Sequence, residues 1–191
     1  MYRVLQVDQI GTPQQWLSLE DAASEIYRGN VAWTIGPTVS VLHGGFNRQG
    51  VQSIVEVPAI LGTSGQAPMN LASSVPSLGR HNHKLFERDK HLCAYCGRVF
   101  HEDELTRDHV MPLSRGGRDK WSNVVSACHR CNTHKGAKTP EEANMPLLYV
   151  PYTPNWFEDF ILRQGPRKIL ADQMEFLLAR VSSHSRFKQQ A

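Results

Sequence analysis

The sequence contains no apolar run that approaches the roughly 18 residues needed to cross a bilayer, so it predicts no membrane-spanning helix and no membrane partner. Its first ten residues, MYRVLQVDQI, lack the basic stretch followed by an apolar run that is typical of a secretory signal. It also contains no internal repeat. We therefore expect a soluble, cytoplasmic protein, and the pattern predicts no particular oligomeric state.

Cysteine is scarce, and its four copies are regularly placed. They form two Cys-x-x-Cys pairs, Cys93 with Cys96 and Cys128 with Cys131. Two such pairs suit one tetrahedral Zn²⁺ with four thiolate ligands. Disulfides and unliganded thiols are the alternatives, but disulfides are typical of small secreted chains. The spacing favours a structural Zn²⁺, which by itself indicates a stabilised fold rather than catalysis.

The net charge of +3 is small but unevenly distributed. Residues 80–138 contain 12 Lys and Arg against 7 Asp and Glu, whereas residues 1–79 contain 3 against 5 and residues 139–191 contain 6 of each. The positive charge therefore coincides with the cysteine pairs. Such a distribution is expected of a phosphate-binding centre, although a solvated basic face would also explain it.

Hydrophobic patterning predicts an α+β fold that begins with a small strand–helix–strand module over residues 1–61. Residues 2–8 alternate as a strand does, and Ser18 is placed to cap a helix that stops at Gly29. The β-branched stretches VAWTI, TVSVL and VQSIVEVPAI predict further strands. Residues 62–80, rich in Gly, Ser and Pro, are typical of a linker.

The remainder of the chain is predicted as a central core over residues 81–139 and a C-terminal region over residues 140–191. Four prolines favour an extended path at the start of that region. An amphipathic helix follows, with an apolar stripe that includes Leu170 and Leu177. Core packing or a partner contact explains such a stripe better than a cofactor does.

The stretch TRDHVMPLSRGGRDKWSNVVSACHRCNTHKG, residues 106–136, combines groups that seldom occur together for packing. His109 is the best general base, because a neutral imidazole near pH 7 can take a proton from water. Asp108 and Asn132 offer hard oxygen ligands, which favour Mg²⁺ or Mn²⁺ over a second Zn²⁺. Asn123 both donates and accepts, which suits it to fixing an imidazole or a loop.

Two geometric constraints apply to these groups. In a regular strand, Asp108 and His109 point to opposite faces, so both can reach one centre only where the strand ends or bulges. His134 lies two residues beyond Asn132 and, on a helix, should point away from it. We therefore do not expect His134 to bind the same ion.

Basic residues lie within this stretch and just after it, and they are predicted to contact phosphates. The loop glycines Gly116 and Gly117 allow unusual backbone angles. Trp121 is more simply explained as a buried anchor of the loop than as a stacking platform for a base. The predicted phosphate contacts are Arg115, Arg118, Lys135 and Lys138.

The motifs CAYC, DHVMPLSRGG, SNVVSACHRCN and HKGAKT, in this order, resemble those of the HNH endonucleases, over about residues 83–139. That resemblance implies a ββα-metal fold in which His109, Asn123 and Asn132 take the three signature positions. It also implies a catalytic Mg²⁺ or Mn²⁺ on Asp108 and Asn132, with the four cysteines matching the zinc-stapled members.

The resemblance implies a metal-dependent endonuclease whose expected partner is nucleic acid, with double-stranded DNA favoured. His109 would activate a water, and Asn123 would hold the loop that aims it. Two alternatives stay open at this point. One is a zinc module that binds nucleic acid without cutting it, and the other is an RNA-cleaving nuclease.

Overall fold

The computed structural model describes residues 2–65 and 74–188. Residues 66–73, in the middle of the predicted linker, lie outside the described residues. The chain divides into two compact units, Met1–Ser74 with Trp156–Val181 and Val75–Asn155 with Ser182–Ala191. The predicted α+β class is confirmed. The finer boundaries at residues 61, 80 and 139 stay predictions.

The first unit contains a four-stranded sheet with α-helices. Its described elements are β1 Val4–Val7, β2 Pro13–Leu17, α1 Leu19–Tyr27, β3 Val31–Phe46, β4 Gln52–Thr63, α4 Trp156–Gln164 and α5 Ala171–Leu178. The strand order is β2-β1-β4-β3, with β1 parallel to β4 and the other neighbours antiparallel. The predicted cap of α1 is confirmed, since the Ser18 hydroxyl accepts the backbone N–H of Asp21 at 3.0 Å.

Both faces of the sheet in the first unit are covered at its centre. Val4 and Leu5 are adjacent, so their side chains point to opposite faces, yet both are fully buried. Helix α1 covers the face of Val4, where Leu17, Ala22 and Leu61 complete a hydrophobic cluster. From α5, the buried amide of Gln173 donates to the carbonyls of Arg3, which precedes β1, and of Ala59 in β4, at 2.8 Å each. These hydrogen bonds and the buried Leu177 hold α5 to the sheet.

The second unit contains an antiparallel hairpin followed directly by a helix. Its elements are α2 His83–Arg88, β5 Leu105–His109, β6 Val124–Cys128 and α3 His129–Lys135. The two strands pair without irregularity, from Leu105 opposite Cys128 to His109 opposite Val124. Helix α3 starts immediately after β6 and ends at Gly136, whose φ of +55° stops it. The hairpin and helix therefore present the ends of β5 and α3 to each other.

Hydrogen bonds from the buried ion pair at the end of α2 attach this helix to the hairpin. The Arg88 guanidinium, with no exposed surface, bonds Asp89 and donates to the carbonyls of Trp121 and Val124 at 2.9 and 2.8 Å. Asp89 in turn accepts the backbone N–H of Ser126 at 2.8 Å. Trp121 is buried, which confirms its prediction as an anchor.

Among residues 2–65 and 74–188, no helix has the length and apolar character that spanning a bilayer requires.

Candidate functional site

The four cysteines come together, as their spacing predicts. Their sulfur atoms all lie within 4.8 Å of one another. Cys93 and Cys96 lie in the segment that follows α2, and Cys128 and Cys131 flank the start of α3. None of the four forms a disulfide. One ion can therefore reach all four thiols and join the segment after α2 to the hairpin and helix.

The electrostatics of this cluster favour a bound cation. Burial and the neighbouring thiols raise the pKa of Cys131. Burial opposes ionisation of Cys96 too, but hydrogen bonds from backbone and neighbouring side chains outweigh it and lower its pKa to about 7. Four thiolates this close repel one another, and a soft or borderline cation removes that repulsion. The donor set fits Zn²⁺.

The end of β5 opens onto a cavity of about 310 Å³. Asp108, His109 and Asn132 all line it, with Pro112 and Gly136 at its edges. The strand stays regular up to His109 and ends there, so the cavity collects side chains from both faces of the strand end. The structure thus brings together Asp108, His109 and Asn132, the predicted general base and cation ligands, at a strand end, as their opposite faces on a regular strand required.

Asp108 is buried and has partners on both carboxylate oxygens. Oδ1 accepts the Lys135 ammonium at 2.9 Å, and Oδ2 accepts the Tyr95 hydroxyl. The same ammonium donates to the carbonyl of His109 at 2.8 Å. Burial and the contact with Asp108 raise the pKa of Tyr95, so its hydroxyl stays protonated and donates. This network connects the first cysteine pair, through Tyr95, to the strand end.

The oxygen donors of Asp108 and Asn132 suit a hard divalent cation. The amide nitrogen of Asn132 donates a hydrogen bond to the Thr106 hydroxyl at 2.8 Å. Because this nitrogen is engaged there, the amide oxygen is the atom of Asn132 that could bind an ion. The chemistry of the pair fits Mg²⁺ or Mn²⁺. A cation at Asp108 would, however, compete with the Lys135 ammonium for the same carboxylate.

His109 bonds a carboxylate that sequence reasoning did not single out. Its Nε2 lies 2.9 Å from Oδ1 of Asp119, and the Arg107 guanidinium holds the other oxygen of Asp119 at 2.7 Å. Arg107 is itself fixed by Asn82 and the carbonyl of Gly79, at 3.0 Å each. Partial burial opposes ionisation of Asp119, but the bonds from His109 and Arg107 outweigh it and lower its pKa.

The sequence indicates only in part that Asp119 contacts Arg107 and His109. Arg107 and His109 are two apart on one strand and so share a face. Asp119 reaches both side chains because its loop folds back over the strand end. Sequence spacing does not reveal that path.

Asn123 shapes that loop. Its side chain accepts the N–H of Met111 at 2.9 Å and donates to the carbonyls of Met111 and Arg118 at 3.0 and 2.9 Å. Gly117 packs so tightly that a Cβ would lie 1.9 Å from the carbonyl oxygen of Met111. Both residues hold the segment between His109 and Asp119 in one shape, and neither contact reaches the imidazole directly.

The predicted phosphate contacts divide into two groups. Arg115, Arg118 and Lys138 are exposed, and Arg115 forms an ion pair with Glu142. Lys135 is 1% exposed, and its ammonium is bound to Asp108 and the carbonyl of His109. The predicted contact of Lys135 with phosphate does not fit this placement, because its position on α3 buries the side chain below the cavity. His134 is exposed, on the side of α3 away from the cavity.

A two-stranded hairpin, a following helix, a four-cysteine cluster and a strand-end histidine together define a ββα unit whose cysteines are placed to bind one metal ion. Residues 93–148 match the family model described as HNH endonuclease, which confirms the resemblance found in the motifs. Over 51 residues the chain is 37% identical to the CRISPR-associated endonuclease Cas9 of Corynebacterium diphtheriae. That similarity covers 26% of this chain and 5% of the relative.

The Asp108–Lys135 pair allows a test of the cation site that does not depend on activity. Lys135→Met should lower the free energy of unfolding by roughly 3–5 kcal/mol, because it leaves a buried carboxylate without its counter-charge. If a divalent ion binds Asp108, Mg²⁺ or Mn²⁺ should restore part of that loss. Thermal unfolding with and without each ion measures both effects.

The exposed Lys138→Met is the matched control for this experiment, and its stability should stay near that of the wild type. The double variant Asp108→Asn, Lys135→Met has no charge left to pair, so its response to the ions should vanish. Equal stabilisation of all four proteins by Mg²⁺ and Mn²⁺ would remove Asp108 from the cation site.

Proposed function

We propose that this chain is a zinc-stapled, metal-dependent endonuclease that hydrolyses phosphodiester bonds in DNA. The observation that carries the proposal is the convergence of His109, Asp108 and Asn132 on one cavity at the end of β5. A module that only binds nucleic acid needs no general base there. The match of residues 93–148 to the HNH endonucleases supports the same reaction class.

The contact with Asp119 determines which nitrogen of His109 can act as the base. An ionised carboxylate only accepts hydrogen bonds, so Nε2 must carry the proton that bonds Oδ1 of Asp119. Nδ1 then keeps its lone pair and can take a proton from water. Once it does so, Asp119 stabilises the imidazolium, as a carboxylate does in other histidine pairs.

In the proposed reaction, Nδ1 of His109 takes a proton from a water as the water oxygen forms a bond to phosphorus. The bond from phosphorus to the 3′ oxygen breaks, and that oxygen leaves with its electron pair. Asp108 and Asn132 would hold Mg²⁺ or Mn²⁺, which when bound supplies stabilisation of the charge on the phosphoryl and leaving oxygens. Asn123 and Gly117 maintain the loop that carries Asp119 to His109.

The four cysteines would hold Zn²⁺ in a structural role. Structural zinc contributes folding free energy directly, and here it would fix Tyr95, whose hydroxyl bonds Asp108. Tyr95 lies inside the first Cys-x-x-Cys pair. The zinc site therefore supports the cavity without taking part in the reaction.

The first test of this function is cleavage of plasmid DNA by the purified chain. We expect nicking in Mg²⁺ or Mn²⁺, no nicking in EDTA, and a loss of about 10²–10⁴-fold in His109→Ala, since a general base contributes that much. Gel shifts should show DNA binding retained by the variant. Wild-type cleavage by His109→Ala would refute the mechanism.

The same assay separates the two alternatives. Metal-dependent loss of RNA but not of matched DNA would indicate an RNA-cleaving nuclease. Binding without cleavage of either, with the thiolate site fully loaded, would indicate a zinc module that only binds.

Asp119 should act by positioning His109. We expect Asp119→Asn to lower kcat by about 10²-fold or more with little change in KM, because the imidazole loses its fixed tautomer. Nitrogen NMR of the His109 ring should show the Nε2–H form in the wild type and a mixture in the variant. Asp119→Glu should recover part of the activity.

Asp103→Asn, an exposed acid on the turn before β5, serves as the control for Asp119→Asn. An unchanged ring spectrum in Asp119→Asn, together with wild-type kcat, would assign Asp119 to an ordinary surface ion pair.

Arg118 and Lys138 should bind the phosphate backbone rather than base edges. Replacing either with Ala should weaken binding to all DNA sequences alike and flatten the log–log salt dependence of affinity by about one unit. Lys168→Ala, an exposed lysine of the first unit, is the matched control and should leave the slope unchanged. Selective loss of one target sequence would instead identify a base contact.

A further inference from the structure

A second cluster of metal-binding side chains lies away from both sites described above. His83, Glu87 and Glu102 each direct one ligand atom to a common point, and these three atoms lie within 4.8 Å of one another. None of the three lines the β5 cavity or belongs to the four-cysteine cluster. The sequence offered no ligand spacing for them, since Glu102 is distant from the other two along the chain.

Local structure explains the convergence. His83 and Glu87 are four residues apart on α2 and therefore share one helix face. Glu102 begins the short 3₁₀ turn that precedes β5, and its Oε1 lies 2.6 Å from Nδ1 of His83. A second histidine, His91, supports Glu87 with Nε2 at 3.6 Å from Oε1. Two segments on either side of the first cysteine pair thus meet at α2.

The charges at this point favour a cation. Two carboxylates within 4.8 Å of each other repel. Glu87 is 18% exposed, so water screens its charge incompletely, whereas the side chains of His83 and Glu102 are more accessible, at 43% and 48%. A divalent ion would convert the repulsion between the carboxylates into attraction.

The donor set selects the kind of ion. An imidazole nitrogen with two carboxylate oxygens is a borderline set that suits Zn²⁺ and its neighbours, whereas Mg²⁺ prefers oxygen alone. Three protein ligands leave a further position for water. His91 would orient the ligating carboxylate of Glu87, in the way that outer partners commonly hold a metal ligand.

We propose that His83, Glu87 and Glu102 form a second divalent transition-metal site, with Zn²⁺ as the fitting ion. The ion replaces the proton that lies between Nδ1 of His83 and Oε1 of Glu102, and that proton goes to solvent. It clamps α2 to the turn before β5, independently of the four cysteines. The site does not rest on the nuclease activity.

The test counts metal ions on the full chain. The metal-free, reduced protein is titrated with Co²⁺, and the wild type is compared with His83→Ala and Glu102→Gln. Both variants should bind about one equivalent less than the wild type. The four-cysteine site should produce a sulfur-to-cobalt charge-transfer absorption of equal strength in all proteins. The additional Co²⁺ bound by the wild type should add nothing to that absorption, because its proposed ligands contain no sulfur.

Comparing proteins removes any contribution of the β5 cavity, because an ion bound there adds equally to each. His81→Ala, an exposed histidine two residues from His83, is the matched control and should keep the wild-type count. Zn²⁺ added beyond the first equivalent should raise the melting temperature of the wild type and of His81→Ala more than that of His83→Ala and Glu102→Gln. An equal count in the wild type, His83→Ala and Glu102→Gln would refute the site and reduce the cluster to ordinary ion pairs.

Discussion

The buried contact between Asp108 and Lys135 is the constraint on which the second unit depends. Removing two charges from water costs several kcal/mol per ion, and the cost is offset only when every donor and acceptor is paired. Here each carboxylate oxygen of Asp108 has a partner, Lys135 or Tyr95, and the Lys135 ammonium also donates to the carbonyl of His109. The strand end, the helix and the first cysteine pair are consequently fixed relative to one another around a single carboxylate.

That arrangement explains how the proposed zinc site and the proposed hydrolytic site can belong to one small unit. A metal on the four cysteines would fix Tyr95, the Tyr95 hydroxyl bonds Asp108, and Asp108 lies next to His109 on the same strand. A hairpin and one helix offer little core of their own. Tight coupling of this kind substitutes for a larger hydrophobic core, and it places the proposed cation ligand where its charge is already balanced by an ammonium.

A different support holds the other side of the site. Arg107 and His109 share a face of β5, and Asp119 bridges them from the loop that Asn123 and Gly117 hold in shape. The imidazole is thus oriented by a carboxylate that is itself held by a fixed guanidinium. The side chains of Asp108 and His109, although adjacent in sequence, bond different partners: Tyr95 and Lys135 for Asp108, and Asp119 for His109.

Local sequence alone predicted the stretches that form β1, β3 and β4, the cap of α1 and the convergence of the cysteines, whereas it did not predict β2, and the stretches VAWTI and TVSVL form one continuous strand. These features depend on periodicity and short spacing, which the chain itself carries. The inward position of Lys135, the partner role of Asp119 and the meeting of Glu102 with His83 were decided by tertiary structure. Each of these three contacts joins residues ten or more positions apart along the chain. It depends on how the intervening loop or helix folds back, which cannot be predicted from the residue types alone.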